Sequence, residues 1–369
     1  MWKPARLFFL LVITLSLLGL FFVFEASTVE SFRLFGHPYH FVRAQAFWLL
    51  LATMAFVAVR WLRLEWLEKW ALPLYVLATL VLLLTLIPPF GVKLNGASRW
   101  LLMPWGGTLQ PIELFKLAMI NFYALLLSRK TNLRSFLFFL LWPALILLLQ
   151  PDFGSLMILV ATCLAMYFLS GAKLQKLGWL ASAGFVAAVL VVVFSPYRRE
   201  RLMTFLEPEQ NVQGQAYHVK QITLALGAGS LFGRGIGNSL QKHAYVPEAS
   251  SDSIFAIIAE EIGFVGALVL LVLFALYFVS ADRMLRAAEL GQYQFLLAYG
   301  LLVTIAVQLL FNLAAIVVLL PLSGMPLPFF SQGGSSLLSV MVSSGLLLNI
   351  AQNDKMKAPV ARRNLRHKK

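Results

Sequence analysis

The chain has 369 residues, of which 60% are hydrophobic and 12% charged, and its formal net charge is +14. Soluble domains carry roughly 45–50% apolar and about 25% charged residues, so this composition excludes an ordinary soluble enzyme or binding domain. The single cysteine, Cys163, excludes a disulfide framework within the chain.

The apolar residues form ten blocks along the chain, and a membrane-spanning helix needs about 20 mainly apolar residues. The first block, 7–24, follows Lys3 and Arg6 and is long for a signal peptide, so it predicts an uncleaved signal anchor. The other blocks lie at 41–60, 70–89, 111–128, 135–150, 154–170, 177–194, 253–281, 293–320 and 331–351. This pattern predicts an all-α polytopic membrane protein with about ten transmembrane helices, in one membrane domain over residues 1–352.

The basic residues predict the orientation, because cytoplasmic loops carry an excess of Lys and Arg. With both termini in the cytoplasm, the inside segments hold Lys3, Arg6, Arg60, Arg63, Lys69, Arg129, Lys130, Arg134, Lys173, Lys176, Arg283 and Arg286. The short outside loops hold only Arg33, Arg43, Lys93 and Arg99. The basic tail 353–369 has no periodicity and is predicted to be disordered. The positive charge therefore indicates topology and attraction to membrane lipids, and it implies no nucleic-acid partner.

One connection is much longer than the others: residues 195–252, between the seventh and eighth predicted helices, on the outside face. It contains a basic cluster at 197–201, an amphipathic segment at 216–226 and a glycine-rich stretch at 227–237. The glycines lack the flanking strand and helix of a dinucleotide-binding fingerprint, so they are predicted to allow tight turns and close packing. Sites concentrate in loops held by a rigid scaffold, and we expect the function here.

A series of motifs spans residues 95–336 in a fixed order. They read Asn-Gly-Ala-Ser-Arg-Trp at 95–100, Gln-Pro-Ile-Glu at 110–113, Gln-Pro-Asp-Phe-Gly at 150–154, Tyr-Val-Pro-Glu-Ala-Ser-Ser-Asp at 245–252, Glu-Glu-Ile-Gly at 260–263, Pro-Leu-Pro-Phe at 326–329 and Ser-Gln-Gly-Gly-Ser-Ser at 331–336. Together they resemble the signature of the SEDS family, which includes FtsW, RodA and SpoVE. The Gln-Lys pair at 241–242 is most similar to the FtsW and sporulation type. Ser253, Gln332 and Ile112 depart from the family pattern, which usually has Phe, Tyr and Ser there.

The resemblance implies an enzyme of the bacterial inner membrane that joins lipid II disaccharides into peptidoglycan strands, in cell division or in elongation. It also implies a class B penicillin-binding protein as the partner. Lipid II carries its sugar on a pyrophosphate through an α-linkage and the glycan is β-linked, so one inverting displacement suffices. The resemblance places the catalytic carboxylate at Asp252, as the base for the acceptor hydroxyl. From position alone, Asp252 could instead cap the following helix.

A departing pyrophosphate needs cations, and the candidates are Arg198, Arg201 and Lys242. Each could equally lie at the membrane interface or bind ordinary lipid phosphates. Glu248 is a second candidate base, although Pro247 and Glu248 also suit a structural turn.

Several charged residues are predicted to support the site within the membrane domain. Glu113 and Lys116 are three positions apart on one helix, so they are predicted to form a salt bridge beside the substrate groove. The alternative is that the two residues bind the substrate directly. Either Glu260 or Glu261 is predicted to anchor Arg99 or another outside cation, and Asp152 could do the same.

No metal or cofactor site is visible in the sequence. His218 and His243 do not form a ligand cluster, so no structural zinc is predicted, although Mg²⁺ or Mn²⁺ could bridge a pyrophosphate. Two rival functions stay open: a lipid II flippase, which buried charges and broken helices would also suit, and a non-catalytic division scaffold. The motifs gather at the outer face and not along a central path, which favours the polymerase.

Overall fold

The structure is a computed structural model, and it describes residues 3–94, 97–103, 107–129, 132–195, 199, 202–203, 205, 215–242, 250–322 and 324–366. The helices are α1 (Lys3–Phe35), α2 (His40–Val59), α3 (Leu64–Lys69), α4 (Ala71–Leu84), α5 (Pro111–Ser128), α6 (Leu133–Leu149), α7 (Phe153–Leu169), α8 (Leu174–Val193), α9 (Gln215–Ala228), α10 (Ile254–Arg286), α11 (Gln292–Ile316) and α12 (Gly334–Arg366). The strands are β1 (Gly91–Leu94), β2 (Ala97–Met103) and β3 (Gly107–Leu109).

Each of the ten apolar blocks corresponds to one helix. Within the described residues, seven helices are long and apolar enough to cross a membrane, and α4, α6 and α7 are shorter apolar helices. The predicted all-α polytopic fold is therefore confirmed. The boundaries differ in places: α1 runs on to Phe35, whereas α4 ends at Leu84, ahead of the Pro88-Pro89 pair that cannot donate backbone hydrogen bonds. The amphipathic segment predicted at 216–226 is the helix α9.

The last helix extends beyond the predicted domain boundary. The helix α12 is continuous to Arg366, so it enters the segment 353–369 for which the sequence predicted no regular structure. Only its part Gly334–Gln352 meets the length and hydropathy expected of a membrane span. The division of the chain at 352 stays a prediction.

A small sheet that the sequence did not predict follows α4. The strands form an antiparallel sheet in the order β1-β2-β3, with Gly91 opposite Leu101 and Leu101 opposite Leu109. Strands this short contain too few residues to show the alternation of apolar and polar side chains that predicts a strand. The apolar residues around them favour the prediction of a helix instead. The sheet positions Arg99, which lies on β2.

The core lies around α5 and α12. The helix α5 packs against α4, α7, α11 and α12, and α12 packs along α2. Membrane helices approach closely where side chains are small, and a Cβ at Gly345 would lie 2.8 Å from the carbonyl oxygen of Phe56 on α2. The helix α8 has no buried residue and so lies at the edge of the described bundle.

The helix α10 is broken at Gly263, where φ is +70° and ψ is −173°. The carbonyls of Glu260 and Glu261 accept hydrogen bonds of 3.0 Å from N–H groups in the loop 230–235. Beyond the break, the N–H groups of residues 264–265 donate to carbonyls of the same loop at 3.0 and 3.1 Å. The loop thus satisfies backbone groups that the break would leave unpaired, and it fixes the short segment of α10 that follows Asp252.

Candidate functional site

Asp252 lies at the start of α10, outside the helix itself. The N-cap residue is Ser253, whose side chain makes no capping bond. Asp252 lies one residue before this N-cap, so it does not occupy the capping position that its place in the sequence allowed. Its backbone is fixed by Asn312 of α11, whose Nδ2 donates to the Asp252 carbonyl at 3.0 Å and to the Met325 carbonyl at 2.6 Å. Asn312 therefore joins the segment before α10 to the turn that follows α11.

A second set of hydrogen bonds ties the segment 250–253 to the turn before α12. The Gln332 N–H donates to the Ser250 carbonyl at 2.8 Å, and Ser250 Oγ donates to Gln332 Oε1 at 2.6 Å. Ser331 Oγ donates to the Ser251 carbonyl at 2.6 Å. The backbone that carries Asp252 is therefore held both by Asn312 of α11 and by the turn before α12.

Two of the three departures from the family pattern take part in this bonding. Gln332, where Tyr is usual, bonds Ser250, and Ser253, where Phe is usual, is hydrogen-bonded to His218 Nε2 of α9 at 2.8 Å. The third, Ile112, is 1% exposed at the start of α5 and packs in the core. Gln332 and Ser253 thus replace bulky side chains with polar ones that hydrogen-bond beside Asp252, whereas Ile112 places an apolar side chain in the core.

Arg99 reaches the same region from β2. Its Nη2 donates to the Pro151 carbonyl at 2.5 Å, and its Nε lies 3.9 Å from Asp152 Oδ1. Asp152 is 2% exposed and also caps α7 by accepting from the Ser155 N–H at 3.3 Å. Asp152 is therefore the carboxylate that pairs with Arg99, which is one of the two alternatives that the sequence left open.

Asp252 and Arg99 meet at Gly324, in the turn between α11 and α12. A Cβ placed on Gly324 would lie 3.2 Å from Asp252 Oδ2 and 3.9 Å from Arg99 Nη1. Gly324 has φ of +70°, a region that glycine enters without steric cost. A carboxylate and a fixed cation thus face one small space.

Lys242 lies in a buried ionic cluster. Its side chain is 6% exposed, and its Nζ lies 2.9 Å from Glu261 Oε1 and 3.4 Å from Glu25 Oε2 of α1. These contacts join the long loop to α1 and α10. This geometry favours a structural role, in which Lys242 clamps the long loop to α1 and α10. The predicted contact between Lys242 and the pyrophosphate stays a prediction, and these contacts do not support it.

Glu260 organises the loop beside this clamp. Its carboxylate accepts from Ser239 Oγ at 2.5 Å and from the N–H groups of Leu240 and Gln241 at 3.1 and 3.3 Å, and it pairs with Arg234 at 3.6 Å. Glu260 thus pairs with Arg234 and Glu261 with Lys242, while the location of these cations on the outer face stays a prediction.

The predicted salt bridge between Glu113 and Lys116 is confirmed. The two groups lie 2.9 Å apart, and both residues are buried, at 2% and 3% exposure. Lys116 also donates to Gln308 Oε1 at 2.7 Å, and Gln308 donates to the Pro326 carbonyl at 3.0 Å. The pair thus supports the turn that carries Gly324, while its place beside a substrate groove stays a prediction.

Three predicted site residues, Arg198, Arg201 and Glu248, lie outside the described residues, as does His243. Among the residues that are described, no group of three or more metal-ligating side chains occurs. The sequence reading missed Asn312 and Gln308. Their polar side chains within an apolar block are a signal that could have identified them; Gly324 offers no such signal.

Comparison with known proteins gives consistent results. Residues 5–356 match the family of cell cycle proteins FtsW, RodA and SpoVE. The chain is 34% identical to the probable peptidoglycan glycosyltransferase FtsW of Trichlorobacter lovleyi, over 96% of each chain. It is 35% identical to stage V sporulation protein E of Bacillus subtilis, over 95% of this chain and 97% of that one.

Solved structures show the same fold. A chain of a peptidoglycan synthase complex that coordinates polymerization and crosslinking superposes with a TM-score of 0.76 at 26% identity, covering 94% of this chain and 97% of that one. The rod shape determining protein RodA of Thermus thermophilus superposes with a TM-score of 0.69 at 25% identity, covering 94% and 96%.

Proposed function

The chain belongs to the FtsW, RodA and SpoVE family and is a peptidoglycan glycosyltransferase, and we propose that Asp252 and Arg99 form its reaction centre. The observation that carries this proposal is their convergence on Gly324. Asp252 supplies a carboxylate able to accept a proton, and Arg99 supplies a permanent positive charge. An inverting transfer from a sugar pyrophosphate requires both of these groups.

The chemistry follows from the two charges. Asp252 takes the proton of the acceptor sugar hydroxyl while the hydroxyl oxygen forms a bond to the anomeric carbon of the donor sugar. The bond from that carbon to the pyrophosphate breaks on the opposite face, so the α-linkage becomes a β-linkage and the lipid pyrophosphate leaves. A positioned base contributes about 10²–10⁴ in rate.

Arg99 suits the leaving group because its orientation is set before substrate binds. Its Nη2 donates to the Pro151 carbonyl, its Nε lies 3.9 Å from Asp152 Oδ1 without a hydrogen bond, and Nη1 is the atom that faces Gly324. The side chain is 21% exposed, so a ligand can reach it. A preorganised cation stabilises charge that develops on the pyrophosphate without reorganising at that moment.

We also assign the reaction to the outer membrane face, with both termini in the cytoplasm. The connections on the other side of the membrane from Asp252 carry the excess of Lys and Arg that is typical of cytoplasmic loops, and this supports the orientation. Peptidoglycan strands are assembled outside the membrane, so Asp252 and Arg99 are then on the side where the product is needed.

A class B penicillin-binding protein is the partner that we propose. The support is the similarity, at 26% identity, to a chain of a complex that coordinates polymerization with crosslinking. Such a partner would crosslink the strands that this chain makes.

Reconstitution tests the function directly. The purified chain is placed in liposomes with fluorescent lipid II, with and without a class B penicillin-binding protein whose transpeptidase is blocked by a β-lactam. We expect ladders of glycan strands. Movement of lipid II across the bilayer without ladders would instead establish a flippase. If the chain neither made ladders nor moved lipid II, the scaffold role would be the remaining function.

Gly324→Ala is expected to slow glycan synthesis more than it destabilises the protein. Its methyl group would press on the Asp252 carboxylate, and the left-handed backbone costs about 1–2 kcal/mol for a residue with a Cβ. We expect kcat to fall by about tenfold or more, since small displacements of reacting groups are costly. Gly36→Ala, at a φ of +73° with nothing within 4 Å of the added Cβ, is the matched control for backbone strain. Equal losses of activity in both variants would contradict the assignment.

A further inference from the structure

The hydroxyl of Ser253, the residue that follows Asp252, has a partner that the reaction described above does not use. Ser253 is 0% exposed, and its side chain makes no capping bond to α10. Its Oγ lies 2.8 Å from His218 Nε2 of α9, within hydrogen-bond distance. Because a buried hydroxyl that lacks a partner is costly, this bond fixes the Ser253 side chain toward α9.

His218 lies on the face of α9 that packs against α10. Residues 218, 222, 225 and 229 follow one another at three or four positions, so they share one side of the helix. Ile222 and Ala225 on that side are 0% exposed. A Cβ at Gly229 would overlap the carbonyl oxygen of Ala259 on α10. The two backbones therefore touch at the Gly229 end of α9, and His218 makes the contact at the other end.

The helix α9 is thus held to the first segment of α10 at both ends. Directly after α9, the loop 230–235 bonds the α10 backbone on both sides of the break at Gly263. At the start of α10, the bond between His218 and Ser253 closes the contact. The segment of α10 that follows Asp252 and the helix α9 therefore form one unit.

The other bonds of the segment 250–253 restrain it from a different direction. Ser250 and Ser251 are bonded to the turn before α12, and the Asp252 carbonyl accepts from Asn312 of α11. These bonds act on the side of α11 and α12, whereas the His218 bond acts on the side of α9. Asp252 lies between the two sets of restraints, and they set the direction of its carboxylate.

We propose that His218 is a positioning residue for Asp252: its hydrogen bond to Ser253 sets the backbone that directs the Asp252 carboxylate toward Gly324. This inference rests on the proposed role of Asp252 as the base. A reacting group displaced by about 1 Å can cost about 10²-fold in rate. Loss of the bond therefore lowers kcat and leaves KM nearly unchanged, because the groups that bind the substrate stay in place. The hydrogen bond and not the charge of the imidazole is what acts, so a neutral side chain of the same reach replaces it.

Synthesis of glycan from fluorescent lipid II by the purified full chain tests the proposal. The variants are Ser253→Ala, His218→Leu, the two combined, and His218→Gln, whose amide reaches about as far as Nε2. We expect kcat to fall on the order of tenfold in each of the first three, with KM within about twofold of wild type. The double variant is no slower than the slower single variant, because both substitutions remove the same bond. His218→Gln keeps a kcat near that of wild type.

Ser253→Ala decides the test even where His218→Leu disturbs folding. Since the Ser253 side chain makes no capping bond, its truncation removes the bond to His218 without uncapping α10. Thermal unfolding in detergent is measured for every variant.

Tyr293→Phe is the matched control for the loss of a buried hydrogen bond between helices. Tyr293 Oη donates to Asn121 Oδ1 at 2.6 Å, which joins α11 to α5. Tyr293 is near the start of α11 and Asn312 is near its end, so at 1.5 Å per residue the two lie about 28 Å apart. We expect this control to keep the wild-type kcat.

Three results would overturn the inference alone. A wild-type kcat in Ser253→Ala would show that the bond only holds α9 against α10. A kcat in His218→Gln as low as in His218→Leu would mean that the hydrogen bond is not the cause. An equal loss in Tyr293→Phe would assign the effect to helix packing in general.

Asp252→Asn, assayed in the same series, separates these results from a failure of the proposed function. Glycan made by Asp252→Asn at the wild-type rate would remove Asp252 as the base, and the inference with it. If Asp252→Asn is inactive while Ser253→Ala keeps the wild-type kcat, the base stands and only the role of His218 is lost.

Discussion

Asp252→Asn is expected to abolish glycan polymerisation while the protein stays folded. Asparagine keeps the shape of the side chain but cannot accept the proton of the acceptor hydroxyl, so the loss expected in kcat is about 10²–10⁴. The backbone contacts of residue 252 use its carbonyl, which the substitution does not change. The measurement is single-turnover and steady-state synthesis of glycan from fluorescent lipid II, with thermal unfolding in detergent as the test of folding.

The matched control is Asp282→Asn at the opposite end of α10. Asp282 bonds Arg286 at 2.8 Å and Tyr299 at 2.9 Å, so it is a carboxylate with partners but far from the turn that carries Gly324. Its removal is expected to leave polymerisation near the wild-type rate. Wild-type activity in Asp252→Asn would show that another group, outside the described residues or supplied by substrate, is the base.

The membrane helices could be predicted because their signal is strong and local. Twenty apolar residues have few alternatives to a membrane span, and each of the ten blocks corresponds to an observed helix. The Glu113–Lys116 ion pair was predictable for a similar reason, since positions three apart on a helix share a face.

Other features could not be predicted because they depend on contacts between distant segments. The break at Gly263 looks like one glycine in an apolar helix, and only the loop 230–235 makes the break stable by bonding the freed backbone. The partner of Arg99 stayed open between Asp152 and the glutamates at 260–261, because the sheet that carries Arg99 was not predicted. The position of Gly324 between Asp252 and Arg99 is fixed by two loops whose sequences do not specify where they meet.

The role of Lys242 can be decided by pairing two substitutions. Lys242→Met leaves the Glu261 carboxylate, whose side chain is 0% exposed, without its 2.9 Å partner. Removing one member of a buried ion pair costs about 3–5 kcal/mol, because the remaining charge stays desolvated. We therefore expect a large fall in unfolding temperature and, with it, loss of glycan synthesis, whereas Lys220→Met, at an exposed position of α9, changes neither.

Adding Glu261→Met to Lys242→Met separates a clamp from a substrate ligand. The double variant buries an apolar pair, and replacing a buried ion pair by apolar residues of similar volume is often close to neutral in stability. Glu25, the other partner of Lys242, has a side chain that is 16% exposed, so water can solvate its charge. If Lys242 holds the loop to α10, the double variant recovers much of both the unfolding temperature and the activity. If Lys242 binds the departing pyrophosphate, stability recovers but polymerisation does not, because the cation is still absent. Recovery of stability alone would therefore return Lys242 to the reaction centre, beside Arg99 and Asp252.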